Sequence, residues 1–303
     1  MIVSYRCAEL LRDCLTSLRS ADLPDGGEMS VHVVDNASGD GTAEMVRAEF
    51  GEVDLLVNDS NAGFAAASNA GVRRGRAPFV CLLNPDARVE PDTLRVLLAA
   101  LEAEPRAAAA GPRLVTPDGG LDHAAKRSFP TVRGALAYFT GVDRVLAGER
   151  QYTAPGVDEG PVDAINGAFM LIRRSALDSV GLFDEGYWMY MEDLDLCYRF
   201  RQAGMPVIYE PGAVAGHVKG GSAGELRGPR LNAAFHYGMY RFYRKFYAPS
   251  RPAPANLAVY AGIAVKLAAS IVLSGLRRAG GAGRGRRSDT TAGAGAAGSG
   301  ASG

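Results

Sequence analysis

The sequence predicts an α/β domain on a mostly parallel central sheet with flanking helices, and three observations carry that expectation. Short β-rich runs at 2–5, 31–34, 55–57 and 79–83 alternate with helical patterns over residues 1–115, the signature of βαβ units. Between the first two runs, Leu10, Leu11, Cys14, Leu15 and Leu18 recur at helical spacing, so a helix there carries one apolar stripe. Each strand run ends in a polar, turn-forming cluster, and parallel sheets collect their ligands at the strand C-terminal ends.

The remaining elements follow in order. A second short helix is expected over 42–50. The stretch 112–163 is irregular and reads as an insertion over the site, with a helix near 132–139. A strand follows at 168–172, a helical turn or two at 174–180, and a helix at 192–203 with Leu194, Cys197, Tyr198 and Phe200 inward. Two closing strands are expected at 206–209 and 213–217, then a helix over 227–247 rich in Tyr, Phe and Arg. The spacing thus predicts one catalytic domain over 1–250, an apolar helix within 251–279 and a disordered Gly/Ala/Arg/Ser-rich tail over 280–303.

Charge and cysteine content narrow the class of function. Lys plus Arg and Asp plus Glu number 33 each, so no net field recruits a nucleic acid polymer. Cys7, Cys14, Cys81 and Cys197 lack any C-x-x-C spacing, which suits reduced, buried thiols. Met1-Ile2-Val3 runs into Ser4-Tyr5 without the pattern of a secretory leader, and the catalytic part is expected in the cytoplasm. Residues 257–276 are nearly all apolar, interrupted by Lys266 and followed by arginines from Arg277 to Arg287. A helix on the cytoplasmic membrane surface is the favoured reading, with a full span and an ordinary docking helix as alternatives.

The strand-end clusters are Ser4-Tyr5-Arg6, Asp35-Asn36-Ala37-Ser38-Gly39-Asp40-Gly41-Thr42, Asn58-Asp59-Ser60-Asn61-Ala62-Gly63 and Asn84-Pro85-Asp86. Turn chemistry and helix capping account for Ser38 to Thr42 taken alone. Four such clusters at successive strand ends point to a ligand. With Asn166-Gly167-Ala168-Phe169, Gly181-Leu182-Phe183-Asp184-Glu185 and Met191-Glu192-Asp193-Leu194-Asp195-Leu196-Cys197, the series resembles the family 2 glycosyltransferases with the GT-A fold, and among them the bacterial rhamnosyltransferase-like branch. The resemblance spans residues 1 to about 220.

That resemblance implies an enzyme that moves a sugar, L-rhamnose from dTDP-L-rhamnose, to a cell-wall or surface-polysaccharide acceptor, a glycan or glycolipid. A UDP-sugar donor is the alternative, and a non-catalytic nucleotide-sugar-binding protein is a second. In the family an acidic turn holds Mg²⁺ or Mn²⁺ against the donor diphosphate. Asp86 matches its last carboxylate, and Asn84 stands where many relatives have aspartate. His217 is similar to the histidine that completes such a site, with a structural histidine as its competing reading, and Lys219 in the following loop is placed to reach phosphate.

For the nucleotide, Ser4, Tyr5, Asp35, Asn36 and Asn61 are the expected contacts. A tyrosine ring stacks on a pyrimidine and the Asp35 carboxylate accepts from its N3–H, while Gly63 admits close backbone approach. The acceptor hydroxyl must lose a proton as it attacks. The family's base maps onto Asp193, beside Glu192, and attack with one base predicts inversion. Tyr187 and Trp188 are candidates for acceptor stacking. A Rossmann dehydrogenase would need a G-x-G-x-x-G loop after the first strand, and the chain has none there.

Overall fold

The computed structural model describes residues 1–130, 158–218 and 228–288. The helix expected near 132–139 and the phosphate candidate Lys219 lie outside them. One central sheet organises the domain. Its strands are β1 (Ile2–Ser4), β2 (His32–Asp35), β3 (Asp54–Val57), β4 (Phe79–Leu83), β5 (Ala87–Val89), β6 (Ala109–Val115), β8 (Gly160–Val162), β10 (Phe169–Arg173) and β11 (Val207–His217). The spatial order is β3-β2-β1-β4-β10-β6-β11-β5, with β8 also on β11. A separate two-stranded ribbon pairs β7 (Lys126–Arg127) with β9 (Ala164–Ile165).

The first four strands in that order are parallel, as the βαβ rhythm predicts. Beyond them the sheet is mixed. β10 runs antiparallel to both β4 and β6, and β11 runs parallel to β6 but antiparallel to β5.

Side chains alternate between two cores, as the pleat requires. Ile2, Val33 and Leu83 point into one core, shared with α1 (Ala8–Leu18), α2 (Thr42–Glu49) and α4 (Thr93–Ala103). Leu82 and Met170 point into the other, where α5 (Arg174–Val180), α6 (Glu192–Gln202) and α7 (Pro229–Phe246) pack, while Val3 and Val34 meet α3 (Phe64–Val72) on that side. α1 buries Leu11, Cys14, Leu15 and Leu18, the stripe read from the sequence. Each fully buried leucine contributes about 1.5–3 kcal/mol.

Two elements depart from expectation for identifiable reasons. The closing strands expected at 206–209 and 213–217 are one strand, β11. Both halves pair with β6, and the register slips between Glu210 and Val214. Pro211, which has no N–H, sits in this bulge, and the Gly212 N–H is taken up by the Glu210 carboxylate at 2.8 Å. β6 carries no strand signal because Ala107-Ala108-Ala109-Ala110 has the highest helix propensity of any residue type. Tertiary packing overrides it: all four alanines are fully buried, and a Cβ at Gly111 would approach Ile165 to 2.9 Å. Only small side chains fit there.

At the C-terminal end, α7 buries Asn232, His236, Gly238 and Phe242. The next helix, α8 (Ala253–Ser288), continues past Gly280, where composition predicted the disordered tail to begin, and 289–303 lie outside the described residues. Tyr243 Oη donates to Asn256 at 2.7 Å, and the Tyr260 ring sits 5.1 Å from Tyr240 and 5.7 Å from Tyr243. The stretch Ala253–Val272 is long and apolar enough to cross a membrane, and only 6 % of it is buried.

Candidate active site

The polar clusters converge where the chain ends its parallel strands. Ser4 is fully buried, and its carbonyl accepts the Asn36 N–H at 2.8 Å. Asp35 Oδ1 accepts the Ser38 N–H at 3.2 Å, and its second oxygen has no hydrogen-bond partner among the described residues. Tyr5 lies beside it, with the Arg6 guanidinium 5.2 Å from its ring. Arg6 and Ala37 both adopt positive φ, 55° and 63°, a backbone state that non-glycine residues keep only under tertiary constraint.

Asn36 works on the site through its neighbours. Its Nδ2 donates to Asn61 Oδ1 at 3.1 Å and to the Gly63 carbonyl at 3.3 Å, and its Oδ1 accepts from Asn58 and from the Ala62 N–H. The amide is used up inside the protein, so Asn36 shapes the loop from Asn58 to Gly63. Asn61 Oδ1 also accepts the Gly63 N–H at 3.0 Å. Gly63 has φ 89°, and a Cβ there would collide with the carbonyl of Trp188. Glycine is required by both the turn and the contact.

The Asn84-Pro85-Asp86 turn is held from two sides. The Asn84 N–H donates to the Ala168 carbonyl at 2.8 Å, and the Asp86 carbonyl accepts the Val218 N–H at 2.9 Å. Immediately after the turn, β5 pairs with the end of β11, Ala87 opposite His217. That pairing sets His217 Nε2 3.6 Å from Asp86 Oδ1. On its other side, His217 Nδ1 bonds Asp122 Oδ2 at 2.9 Å. All three residues are buried. Asp122 has no motif in the sequence to mark it. Its part is to fix the histidine ring.

These residues fit a divalent cation in part. Carboxylate and imidazole are donors that Mn²⁺ accepts, and Asn84 Oδ1 is buried without a hydrogen-bond partner among the described residues, as expected of an oxygen meant for a ligand. Among the described residues no group of three or more His, Cys, Asp or Glu side chains is arranged to hold a metal ion. A cation held by Asp86 and His217 would need further donors to fill its coordination shell.

α6 begins at Glu192 after Tyr190 and Met191, both at positive φ, 70° and 74°. This strained turn aims the carboxylate pair. Asp193 Oδ2 accepts the Gly167 N–H at 2.9 Å and is ion-paired with the Arg127 guanidinium, and Oδ1 accepts the Leu194 N–H at 2.7 Å. Glu192 Oε2 is buried and has no partner among the described residues. Burial, reinforced by the adjacent Asp193 charge, pushes Glu192 up to about 8. Two neighbouring carboxyls are thus given different environments, which separates their roles.

The acceptor expectations divide. Tyr187 is 1 % exposed, and its hydroxyl donates to Asp195 Oδ2 at 3.1 Å. A ring enclosed in the core cannot stack on an acceptor, so that assignment is corrected. Asp195, itself fully buried, also accepts from Arg199 and Lys245, each at 2.7 Å, a donor set that offsets its desolvation. Trp188 is half-buried, with the Arg230 guanidinium 4.1 Å from its ring, and its carbonyl accepts the Phe64 N–H at 2.8 Å. It joins the segment before α6 to the loop at Gly63.

The Glu192 environment has a measurable consequence. In the unfolded chain the group titrates near 4.5 and in the folded chain near 8, so between those values the folded state binds the extra proton and loses stability as pH rises. The variant Glu192→Gln removes this loss. Thermal unfolding from pH 5 to 9 is expected to show the variant gaining on the wild type up to about pH 8 and holding level above it. A difference that stays constant over that range would contradict the assignment.

Comparison with known proteins agrees with this geometry. Residues 1–181 match the family model described as Glycosyl transferase family 2. The chain is 32 % identical over 277 residues to the N-acetylglucosaminyl-diphospho-decaprenol L-rhamnosyltransferase of Mycobacterium tuberculosis, covering 86 % of this chain and 89 % of that one. Among solved structures, the mannosyltransferase PcManGT from Pyrobaculum calidifontis in complex with GDP-Man and Mn²⁺ superposes with a TM-score of 0.56 at 17 % identity, over 93 % of this chain and 74 % of that one. GalNAc-T7 with UDP, GalNAc and Mn²⁺ gives 0.59 at 15 % identity, over 82 % and 47 %. At such identities these structures establish the fold alone. The chain belongs to glycosyltransferase family 2 and is a glycosyltransferase with the GT-A fold, acting on nucleotide-sugar donors.

Proposed function

We propose that the enzyme transfers L-rhamnose from dTDP-L-rhamnose, with inversion, to a hydroxyl of a polyprenyl-diphosphate-linked N-acetylglucosamine. The observation that carries this reading is the match to the mycobacterial rhamnosyltransferase over nearly the whole of both chains. Ser4, Tyr5 and Asp35 bind the thymidine end, with Asn36, Asn61 and Gly63 shaping the loop beside it. Asp86 and His217 hold Mg²⁺ or Mn²⁺, with Asn84 Oδ1 turned to the donor or the ion. The cation, when bound, offsets the charge that develops on the departing diphosphate.

Asp193 is the general base. Its carboxylate accepts the proton of the acceptor hydroxyl as that oxygen attacks the anomeric carbon from the side opposite the diphosphate. Glu192, which burial keeps protonated near neutral pH, is unsuited to that role. A single displacement inverts the anomeric centre. Trp188 lines the acceptor side.

The membrane reading rests on α8. Leu257, Val265 and Val272 are each at least 60 % exposed, and Lys266, Arg251 and Arg244 lie on or near the same helix pair. An apolar face flanked by cations suits an anionic leaflet, where a lipid-linked acceptor resides. Sedimentation with phosphatidylglycerol vesicles is expected to carry the full chain down, and Val265→Asp with Val272→Asp to leave it in solution. Equal sedimentation of both would refute the role of this face.

Activity offers the direct test of the function. With N-acetylglucosaminyl-diphospho-undecaprenol as acceptor, dTDP-L-rhamnose should support turnover at least tenfold faster than UDP-galactose, UDP-glucose or UDP-N-acetylglucosamine. Asp193→Asn should lower kcat by about 10²–10⁴-fold while leaving dTDP binding within about twofold. A UDP-sugar used in preference would refute the donor, and an active Asp193→Asn would refute the base.

A further inference from the structure

We propose that Arg127 is the positioning residue of the catalytic carboxylate, clamping one oxygen of Asp193 so that the group stays charged and aimed at the acceptor hydroxyl. This rests on the reading of Asp193 as the base. Arg127 belongs to none of the motifs that mark the family in this sequence, and it lies 66 residues from Asp193 in the chain.

The geometry is specific. Arg127 closes the small β7–β9 ribbon, where it pairs with Ala164. Its Nη2 donates both to the Ile165 carbonyl at 3.1 Å and to Asp193 Oδ2. The same Oδ2 accepts the Gly167 N–H at 2.9 Å, from the turn between β9 and β10. Two donors on one oxygen, both carried by the ribbon and its turn, fix the plane of the carboxylate. Oδ1 carries one hydrogen bond, from Leu194 N–H. A carboxylate oxygen has two lone pairs, so one on Oδ1 remains for a hydroxyl.

The ribbon is itself anchored to α6, the helix that bears the base. The Phe129 ring packs edge-on against Tyr198 with centroids 4.9 Å apart, and the Arg201 guanidinium lies 4.5 Å from the Phe129 centroid. The Phe129 N–H donates to Asp163 at 2.9 Å. Arg127 therefore has a fixed scaffold on both sides. The ion pair is sheltered, with side-chain exposures of 18 % for Arg127 and 9 % for Asp193.

Charge explains why an arginine is placed here. Asp193 interacts with Glu192 and Cys197 on its own helix and with Arg127 on the ribbon, and Asp195 acts on Glu192. Asp195 is already matched by Arg199 and Lys245, and burial pushes the Cys197 thiol up to about 12. Arg127 is thus the cation that opposes the Glu192–Asp193 pair, and it pulls Glu192 downward against burial. Without it, a sheltered carboxylate beside another carboxyl retains its proton to higher pH. A protonated Asp193 cannot accept the proton of the acceptor.

The test compares Arg127→Met and Arg127→Lys with the wild-type full chain, using dTDP-L-rhamnose and N-acetylglucosaminyl-diphospho-undecaprenol, and recording kcat/KM from pH 5.5 to 9.5. Arg127→Met is expected to lower kcat by about 10²-fold with the donor KM within about threefold, and to move the acid limb of the profile up by about one pH unit or more. Arg127→Lys, which keeps the charge without the planar fork, should restore the limb toward the wild-type position and part of kcat. An Arg127→Met profile with the wild-type limb would overturn the proposal even if kcat fell, since that is the mark of a purely structural loss. Circular dichroism and dTDP binding identify a variant that fails to fold, and in that case the Arg127→Lys limb decides. An Asp193→Asn variant that keeps its turnover would overturn the base reading and this proposal with it, whereas an inactive Asp193→Asn with an unshifted Arg127→Met would overturn the clamp alone.

Discussion

The arrangement depends on one register: the antiparallel pairing of β10 with β4, Phe169 opposite Leu83 through Arg173 opposite Phe79. β4 ends in the Asn84-Pro85-Asp86 turn, and β10 begins just after Asn166-Gly167-Ala168. Their pairing sets these turns side by side, joined by the Asn84 N–H on the Ala168 carbonyl. The turn that carries Asn84 and Asp86 is thereby held against the turn whose Gly167 N–H meets Asp193. A slip of one residue would exchange the two faces of β10 and send Phe169 and Met170 into the wrong cores. The strong burial of both strands fixes the register that the chemistry needs.

From that register, two charge relays extend in opposite directions. In one direction, the return of β5 to β11 brings His217 to Asp86, and Asp122 secures the ring from behind. In the other, Gly167 and Arg127 converge on Asp193. A further network ties this side to the C-terminal helices. Asp184 accepts from Arg241, Lys245 and the Gly186 N–H, and although burial opposes it, these bonds hold its carboxyl down at about 2. Lys245 also reaches Asp195 at the start of α6. α7 is thus bonded to the catalytic helix while it packs against α8, the helix with the exposed apolar face.

Much of this was legible in the sequence because local patterns and tertiary demands agree over the first half of the domain. The short β-rich runs at β1, β2 and β4, the stripe on α1, and the polar residues after each strand all lie where the pattern put them. What was hidden depends on contacts between distant segments. β6 is written in alanine, a helix former, and becomes a strand only because its slot admits nothing larger. The Glu210-Pro211-Gly212 step looked like a break between two strands and is a bulge in one. Tyr187 stands in an aromatic run that resembles a stacking platform, yet its hydroxyl is needed by a buried aspartate eight residues on. Asp122 and Arg127 sit in an irregular stretch with no periodicity, and only the folded chain shows that each supports a residue the motifs had marked. Asn36 reads in the sequence as a donor contact, and the fold adds that its side chain bonds Asn58, Asn61, Ala62 and Gly63.

The proposed reaction is a single displacement in which Asp193 takes the proton of the acceptor hydroxyl, while burial leaves its neighbour Glu192 protonated near neutral pH. The measurement that bears on it most directly is the anomeric configuration of the newly formed glycosidic bond, read by NMR from the one-bond C–H coupling of the product and compared with that of the donor. The account predicts inversion. Retention would exclude a single back-side displacement and would contradict the role assigned to Asp193.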